Sequence, residues 1–491
     1  MQIIALDVGT SSTKASLVDA FGVVKRSVST KTTKLSYPSP GAVEVDPDEI
    51  YLNALHVLRQ VTRNLKHEDI LISLSCMSPV LIALTKSRKP SRPAILYNDS
   101  RSWREVDEVN KKFETDRLLK INGNQANLQQ WGPKLLWIRK HERQKRIWKL
   151  CDLTTYLIWK FTGETVIDHT AAQEAGLLNY AKRIWSDEIL SFLDVEYDSL
   201  PDLMPTTAIL EIESENVKKD MRLSHTRVRI NAGCVDCVSS PIGLGAVQEG
   251  MVSLELGTTG IIYTPTLNPK PDKRLFLSLT PKAGLFFIGG ATAASGSFYE
   301  RITELLLGNH DFKRANRLAA QSTPGSQGLV VLPYLFGERS PIFDPLARTV
   351  IFGLNGSPGR KDLMHAAIEG IAFSFLHHLR IMQKNGYRQT SGRITGSGAK
   401  ERIWREIMAD VLGIPLAYAM NVAPNMGTAY IGYMAAGIKK RWEDVSEWKG
   451  KQQIVEPIPS YREMYDGFFS IYLNLYEKHK TDFKLLADRF D

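Results

Sequence analysis

The chain has 491 residues, 43% of them apolar and 23% charged, with 62 Lys and Arg against 53 Asp and Glu and a net charge of +9. That usage belongs to globular proteins and excludes a disordered chain, and at roughly 100 to 200 residues per domain the length asks for more than one core. No run approaches the roughly 18 apolar residues of a membrane span, and the start, MQIIALDVGTSS, has neither the basic region of a signal peptide nor an anchor, so no membrane partner is expected.

In chain order, residues 2–19 (QIIALDVGTSSTKASLVD) read as an apolar strand, a Gly-Thr-Ser turn and a second alternating strand, a hairpin pattern. A turn of this kind gathers backbone N–H groups and hydroxyls in one concavity suited to phosphate oxygens, although one such turn is weak evidence. Asp7 at its entrance suits a hydrated Mg²⁺, which takes oxygen ligands and keeps its waters, and Lys14 adds a point charge. Helical patterns follow at 47–64, 102–120, 133–149 and 153–161. Residues 139–149 (RKHERQKRIWK) are very basic. Without zinc-finger spacing or an aromatic RNA-binding signature, they read as a solvated helix face, and no nucleic-acid partner is expected.

Residues 231–247 (NAGCVDCVSSPIGLGAV) place Asp236 between a strand-like run and a helix start rich in small residues. An acid there either takes a proton from a substrate hydroxyl or serves as an N-cap, and the pattern alone leaves both open. Cys234 and Cys237 form a CxxC, but Cys76 and Cys151 do not supply the second pair that zinc needs, so small buried residues are expected. Four cysteines in so long a chain make no disulfide framework and point to a reducing compartment, the cytoplasm.

Residues 251–265 (MVSLELGTTGIIYTP) echo the first hairpin. In both, an apolar run ends in an acid, Asp7 or Glu255, followed one residue later by Gly-Thr and another hydroxyl residue. A repeat at half the chain length implies a duplicated domain, not a solenoid. The lobe boundary is expected near 243–250, giving lobes 1–247 and 248–491 around a packed hinge and a cleft. Helices are expected at 296–307, 361–384, 399–412 and 427–436, and buried strands at 329–332 and 393–395, an α/β class in two lobes. The GSGAK loop at 396–400 leads into a helix, where it either approaches a nucleotide or makes a plain turn. The small residues of NMGTAYIGYMAA at 425–436 suit a nucleotide or close helix packing equally. The tail 448–491 has an amphipathic helical pattern that could lie on either lobe.

With these motifs together, the chain resembles the FGGY carbohydrate kinases of the actin, sugar kinase and Hsp70-like superfamily, from Ile4 to about Gly437. Nine motifs stand in the family's order: DVGTSSTK at 7–14, GAVEVDP at 41–47, RPAILYNDSR at 92–101, PKLLWIRKH at 133–141, the turn with Asp236, LGTTG at 256–260, PYLFGERSP at 333–341, FGLNGSPGRKDLMHAAIEG at 352–370 and GSGAK at 396–400. The resemblance implies two duplicated actin-like (ribonuclease H-like) lobes, the first carrying the sugar side and the base, the second the ATP side. It implies ATP contacts at Thr10, Ser11, Ser12, Lys14 and Thr258 and around Gly398 and Ala399, Mg²⁺ near Asp7, and Asp236 as the catalytic base. The sugar side would be lined by Met77, Ser78, Asp99 and Glu44. A homodimer is compatible with this reading.

Departures bear on the substrate. PAILYNDSR and Met77 look most like xylulokinases, which carry His where this chain has Ser78 and Asn where it has Cys237. DCVSSPIGLGA is nearer the gluconate-kinase pattern, and the Arg-Glu pair with which glycerol kinases hold their polyol is missing at Ser78 and Pro79. A ketose such as D-xylulose is the expectation, gluconate or another aldonate or polyol the alternative. From a different class, a sugar or nucleotide sensor of the same fold without turnover is the other reading.

Overall fold

The computed structural model describes residues 1–65, 69–142, 147–419 and 425–490. Two mixed sheets of seven strands carry the two halves of the fold. In the first, Gln2–Val8, Ser12–Val18 and Val24–Lys31 are successive antiparallel strands. Asp69–Cys76 lies parallel to Gln2–Val8, Arg227–Asn231 parallel to that, and Ile209–Glu211 closes the edge antiparallel. In the second, Met251–Leu256, Gly260–Thr266 and Phe286–Thr292 are antiparallel in turn. Ser391–Thr395 and Leu416–Ala419 then add parallel, and Gln452–Val455 closes antiparallel. The succession of pairings is the same in both, so the echo heard in two hairpins extends over six strands of each sheet.

The central strands are covered on both faces, which is why they read as unbroken apolar runs: Ile3 to Leu6 are wholly buried, as are Ile70, Leu71, Ile72 and Leu74. The edge strand Val24–Lys31 alternates half-buried with exposed residues and carries Lys25, Arg26 and Lys31, the usual protection of an edge against foreign pairing. The helix Pro47–Val61 starts where expected, with the Asp46 carboxylate accepting from the Asp48 N–H and Pro47 at the first helical position. In the second lobe the 25-residue helix Arg360–Lys384 is the spine, packed against Gly296–Leu307, Phe312–Ala319 and Arg402–Leu412.

The helix expected over 133–149 is shorter. It runs Trp131–His141, and Ile147–Cys151 is instead a strand paired antiparallel with Ile82–Thr85. Residues 143–146 of the basic stretch lie outside the described residues. Ile147 and Trp148 suit a pleated surface, and the distant pairing overrides the helix propensity of the lysines and arginines around them.

Met426–Ala435 crosses back from the second half to the first. It packs on Gln2–Val8, on Asp69–Cys76 and on Asp236–Gly243. Its small residues serve that approach: a Cβ on Gly427 would strike the backbone of Ser239 and Gly243, and one on Gly432 would meet Ser73 and Ile3. One apolar core accordingly spans both sheets, holding Ile3 and Ala5 together with Tyr263, Phe276, Phe287, Met426 and Tyr430. The tail divides. Trp448 donates its indole N–H to the Ala20 carbonyl at 3.2 Å on the first sheet, whereas Arg462–Phe490 lies on the second lobe. There the Tyr465 hydroxyl donates to Glu369 at 2.9 Å and Tyr472 meets Tyr334 at 2.8 Å. Among the described residues no helix is long and apolar enough to cross a membrane.

Candidate active site

The first hairpin sets Asp7 opposite Lys14 on its return strand and beside Ser75 on the parallel neighbour. The turn between is cinched by Gly9 N–H to the Ser12 carbonyl at 3.0 Å and by the Thr32 hydroxyl to the Gly9 carbonyl at 2.7 Å. This leaves Ser11 and Ser12 exposed and Thr10 half-buried, its hydroxyl 3.2 Å from that of Tyr97. Ser75 donates to Asp7 at 2.8 Å, and Thr428 of the crossing helix donates to Ser75, also at 2.8 Å. Burial pushes the Asp7 carboxyl up, and the Ser75 hydrogen bond and the Lys14 charge pull against that. The same burial lowers Lys14.

In the second hairpin Thr258 is exposed at the tip. Its carbonyl takes the N–H groups of Ser295 at 3.0 Å and Ser297 at 3.1 Å, and the Gly257 carbonyl takes that of Gly296 at 2.9 Å, which docks the N-terminus of helix Gly296–Leu307, with its positive dipole end, beside the turn. The GSGAK loop lies against the same turn. Gly396, at φ +97°, passes so close to Leu256 that a Cβ would overlap its backbone. The Ala399 side chain is wholly buried, and Arg405 holds the carbonyls of Ala399 and Lys400 at 2.6 and 2.9 Å. The structure therefore brings Thr258, Gly398 and Ala399 together, and Thr10, Ser11, Ser12, Lys14 and Asp7 together.

What joins the two hairpins is a cluster of acids. Asp236 is the first residue of helix Asp236–Gly243 and its Oδ1 accepts the Cys237 N–H at 2.7 Å. Burial raises its pKa well above the ordinary range, and the charges of Asp7 and Glu255 raise it further. Glu255 is raised by burial too, and accepts the Ser240 hydroxyl at 2.9 Å. The acids that end the two echoing strands thus converge on Asp236 from opposite sheets. A carboxylate within reach of a substrate hydroxyl can take its proton. Three carboxyl groups in one place also suit a cation, which would favour their ionised forms. The donors are oxygens, the ligands Mg²⁺ takes, and among the described residues no group of three or more His, Cys, Asp or Glu stands close enough to bind a metal directly.

The expected sugar side forms a second cluster. Met77 is buried, its N–H on the Val8 carbonyl at 2.8 Å, so Met77 and Ser78 follow directly from the strand beside Asp7. Asp99 and Glu44 come together on arginines. Asp99 accepts the Val43 N–H at 2.8 Å and the Arg101 guanidinium at 2.6 Å, and Glu44 accepts Arg101 at 2.7 Å and also pairs with Arg92. Arg101 lies 4.6 Å over the Trp137 ring. Behind them Lys134 is buried, donates to the Gln129 carbonyl at 2.7 Å, and is lowered by burial to about 7 against the charges of Asp99 and Asp152.

Sequence reasoning did not assign Glu255 a role, although its place in the echo, matching Asp7, was the signal. It missed Ser75, Lys134 and Glu174, whose importance depends on strands and helices far apart in the chain. All four cysteines are free thiols, and burial pushes that of Cys237 up. A cavity of about 690 Å³ beside helix Arg402–Leu412, lined by Arg402, Arg405, His365 and Asp410, contains none of the expected site residues.

Comparison with known proteins agrees with this architecture. Residues 2–243 match the N-terminal domain and residues 252–436 the C-terminal domain of the FGGY family of carbohydrate kinases. The chain belongs to that family. It is 27% identical to a xylulose kinase of Staphylococcus xylosus over 97% of this chain and 99% of that protein. It is 26% identical to a gluconokinase of Bacillus subtilis (strain 168) over 99% and 98%. The crystal structure of a ligand-bound xylulose kinase from Lactobacillus acidophilus superposes with a TM-score of 0.93 at 24% identity, covering 99% of both chains.

Proposed function

We propose that this carbohydrate kinase transfers the γ-phosphoryl of ATP to a hydroxyl of a ketose, D-xylulose before others, between a sugar-binding lobe, 1–247, and an ATP-binding lobe, 248–491. The observation that carries the reading is the meeting of Asp7, Asp236 and Glu255 between two hydroxyl-rich hairpin turns. Thr10, Ser11, Ser12 and Lys14 on one side and Thr258 with the N-terminus of helix Gly296–Leu307 on the other hold the phosphates, and Gly398 and Ala399 border the adenosine. Asp236 orients the accepting hydroxyl and takes its proton. Lys14 and the amides of both turns face the charge that grows on the transferring phosphoryl, where positioning and electrostatics supply most of the rate. Mg²⁺, when bound, adds charge neutralisation there, and Asp7, with Glu255 near, is placed to hold it through water.

Met77 and Ser78 border the sugar next to Asp7. Asp99 and Glu44, already occupied by Arg101 and Arg92, shape that wall and offer their remaining lone pairs. Xylulose kinases are the more numerous among the most similar relatives, which supports a ketose; the gluconokinase at 26% identity supports an aldonate as the second reading. Free thiols throughout support a reducing compartment, the cytoplasm. The test is ADP release from MgATP across xylulose, ribulose, gluconate, glycerol and several pentitols. One strongly stimulating sugar supports the reading. A flat panel with tight ATP binding would replace it with a non-catalytic sensor.

A further inference from the structure

Helix His169–Glu174 of the first half ends against strand Phe276–Leu279, the outermost strand of the second sheet. The free edge of that strand is met by side-chain amides. Asn124 exchanges two hydrogen bonds with Leu277 at 2.9 Å each, and Gln173 bonds the Leu277 carbonyl at 3.0 Å and the Leu279 N–H at 2.5 Å. These contacts fix the next residue, Glu174, whose Oε1 accepts the Ser278 hydroxyl at 2.7 Å. The Ser278 hydroxyl is also 3.2 Å from that of Tyr263, and Tyr263 reaches the thiol of Cys237, the neighbour of Asp236. A chain of polar groups thereby runs from Glu174 to the base, crossing between the halves twice.

Glu174, Asp236 and Cys237 are each half-buried, whereas Gln173, Ala175, Val235 and Val238 beside them are buried, so these polar side chains are the ones left partly accessible. The charge of Glu174 is felt by Asp236, Cys237 and Tyr263. The facing cation is Arg339, which acts on Glu174 and Tyr263. Among the described residues, the carboxyl groups that act on the base and on one another (Asp7, Asp236, Glu255 and Glu174) outnumber the cations acting on them, Lys14 and Arg339.

We propose that Glu174 determines the substrate class: its carboxylate accepts a hydroxyl of a neutral ketose or polyol and repels the carboxylate of a sugar acid. An ionised carboxylate has about four acceptor positions and no donor, so with Ser278 on one oxygen it can still hold a hydroxyl but can only oppose a second carboxylate. Hydrogen bonds to charged groups and like-charge repulsion in a partly dry cleft are each large enough to set a preference of tenfold or more. The inference rests on the kinase reading above and narrows it to neutral substrates.

The test compares wild type, Glu174→Gln and Ser278→Ala in steady-state turnover with MgATP and either D-xylulose or potassium gluconate. Glu174→Gln is close to isosteric and keeps an oxygen for Ser278, so folding is preserved. The wild type is expected to favour xylulose. In Glu174→Gln the KM for xylulose rises about tenfold with little change in kcat and the KM for gluconate falls, moving the ratio of kcat/KM about 10- to 100-fold toward gluconate. Ser278→Ala keeps the carboxyl but loses the hydrogen bond that favours its ionised form against burial, so it shifts the ratio toward gluconate less than Glu174→Gln does. An unchanged ratio in Glu174→Gln, or a wild type that prefers gluconate, overturns this inference and leaves the kinase reading standing. A wild type that phosphorylates no carbohydrate overturns both.

Discussion

The crossing helix Met426–Ala435 holds the helix that carries Asp236, and Gly427→Ala tests how closely. A Cβ on Gly427 would sit 1.7 Å from the Ser239 carbonyl oxygen and 2.8 Å from the Gly243 nitrogen. Both are backbone atoms that no rotamer change can move aside. Carbon–oxygen contacts between helices lie at about 3.3 Å, so the two helices must separate by roughly 1.6 Å or tilt. Ser239 stands one turn from Asp236, and displacement of a reacting group by about 1 Å can cost on the order of 10²-fold in rate. Overpacking of this kind also costs about 1 to 3 kcal/mol of stability. The expected result is a kcat down about 10²-fold, with urea unfolding shifted by that amount and ATP affinity little changed. Gly467→Ala is the control. That glycine lies in helix Arg462–Phe490 with nothing within 4 Å of a new Cβ, so the change should stabilise by about 0.5 to 1 kcal/mol and leave kcat alone. A Gly427→Ala enzyme with wild-type kcat and stability would refute the claim that this helix positions the base.

Two further outcomes concern titration. Ser75→Ala removes the hydrogen bond that favours ionised Asp7 against burial, so the Asp7 carboxyl rises further and the acid limb of the pH–rate profile moves to higher pH; superimposable profiles would separate Asp7 from the reaction. Burial raises Asp152 to about 7, against the N–H of Val80 at 2.7 Å. Because the folded pKa is the higher one, between about pH 4 and 7 the native state keeps a proton that the unfolded chain releases. This contribution is complete below about pH 4 and is lost as pH rises through 7, with a slope of at most about 1.4 kcal/mol per pH unit. Asp152→Asn should flatten that part of the stability profile, measured by denaturant unfolding at a series of pH values, and an unchanged slope would show that Asp152 is ionised in the folded protein at neutral pH.

The hairpins were legible because a Gly-Thr turn between two apolar strands is a local pattern, and their repetition announced duplication. The remaining strands of the two sheets match in order and direction but not in residues: Asp69–Cys76 and Ser391–Thr395 hold equivalent places with no shared motif. Only hydrogen-bond partners reveal them. Residues 147–149 of strand Ile147–Cys151 read as helix in the sequence for the same reason, since the pairing partner lies some sixty residues earlier. At the site, Asp7 and Asp236 sit at strand ends, where an isolated acid is conspicuous in sequence. Glu174 ends a six-residue helix, and nothing local signals that strand Phe276–Leu279 of the other half will lie against it. The small residues at 425–436 were ambiguous in sequence. The geometry assigns them to close packing, and that packing turns out to touch the helix of the base.

The most direct test of the central claim is single-turnover transfer from γ-labelled ATP to the best sugar of the panel, comparing wild type with Asp236→Asn. Labelled sugar phosphate is expected from the wild type, and a rate about 10² to 10⁴ lower from the variant with ATP affinity retained. Near-normal transfer by Asp236→Asn would contradict the assignment of the base, and with it the reading of the acid cluster as the catalytic centre.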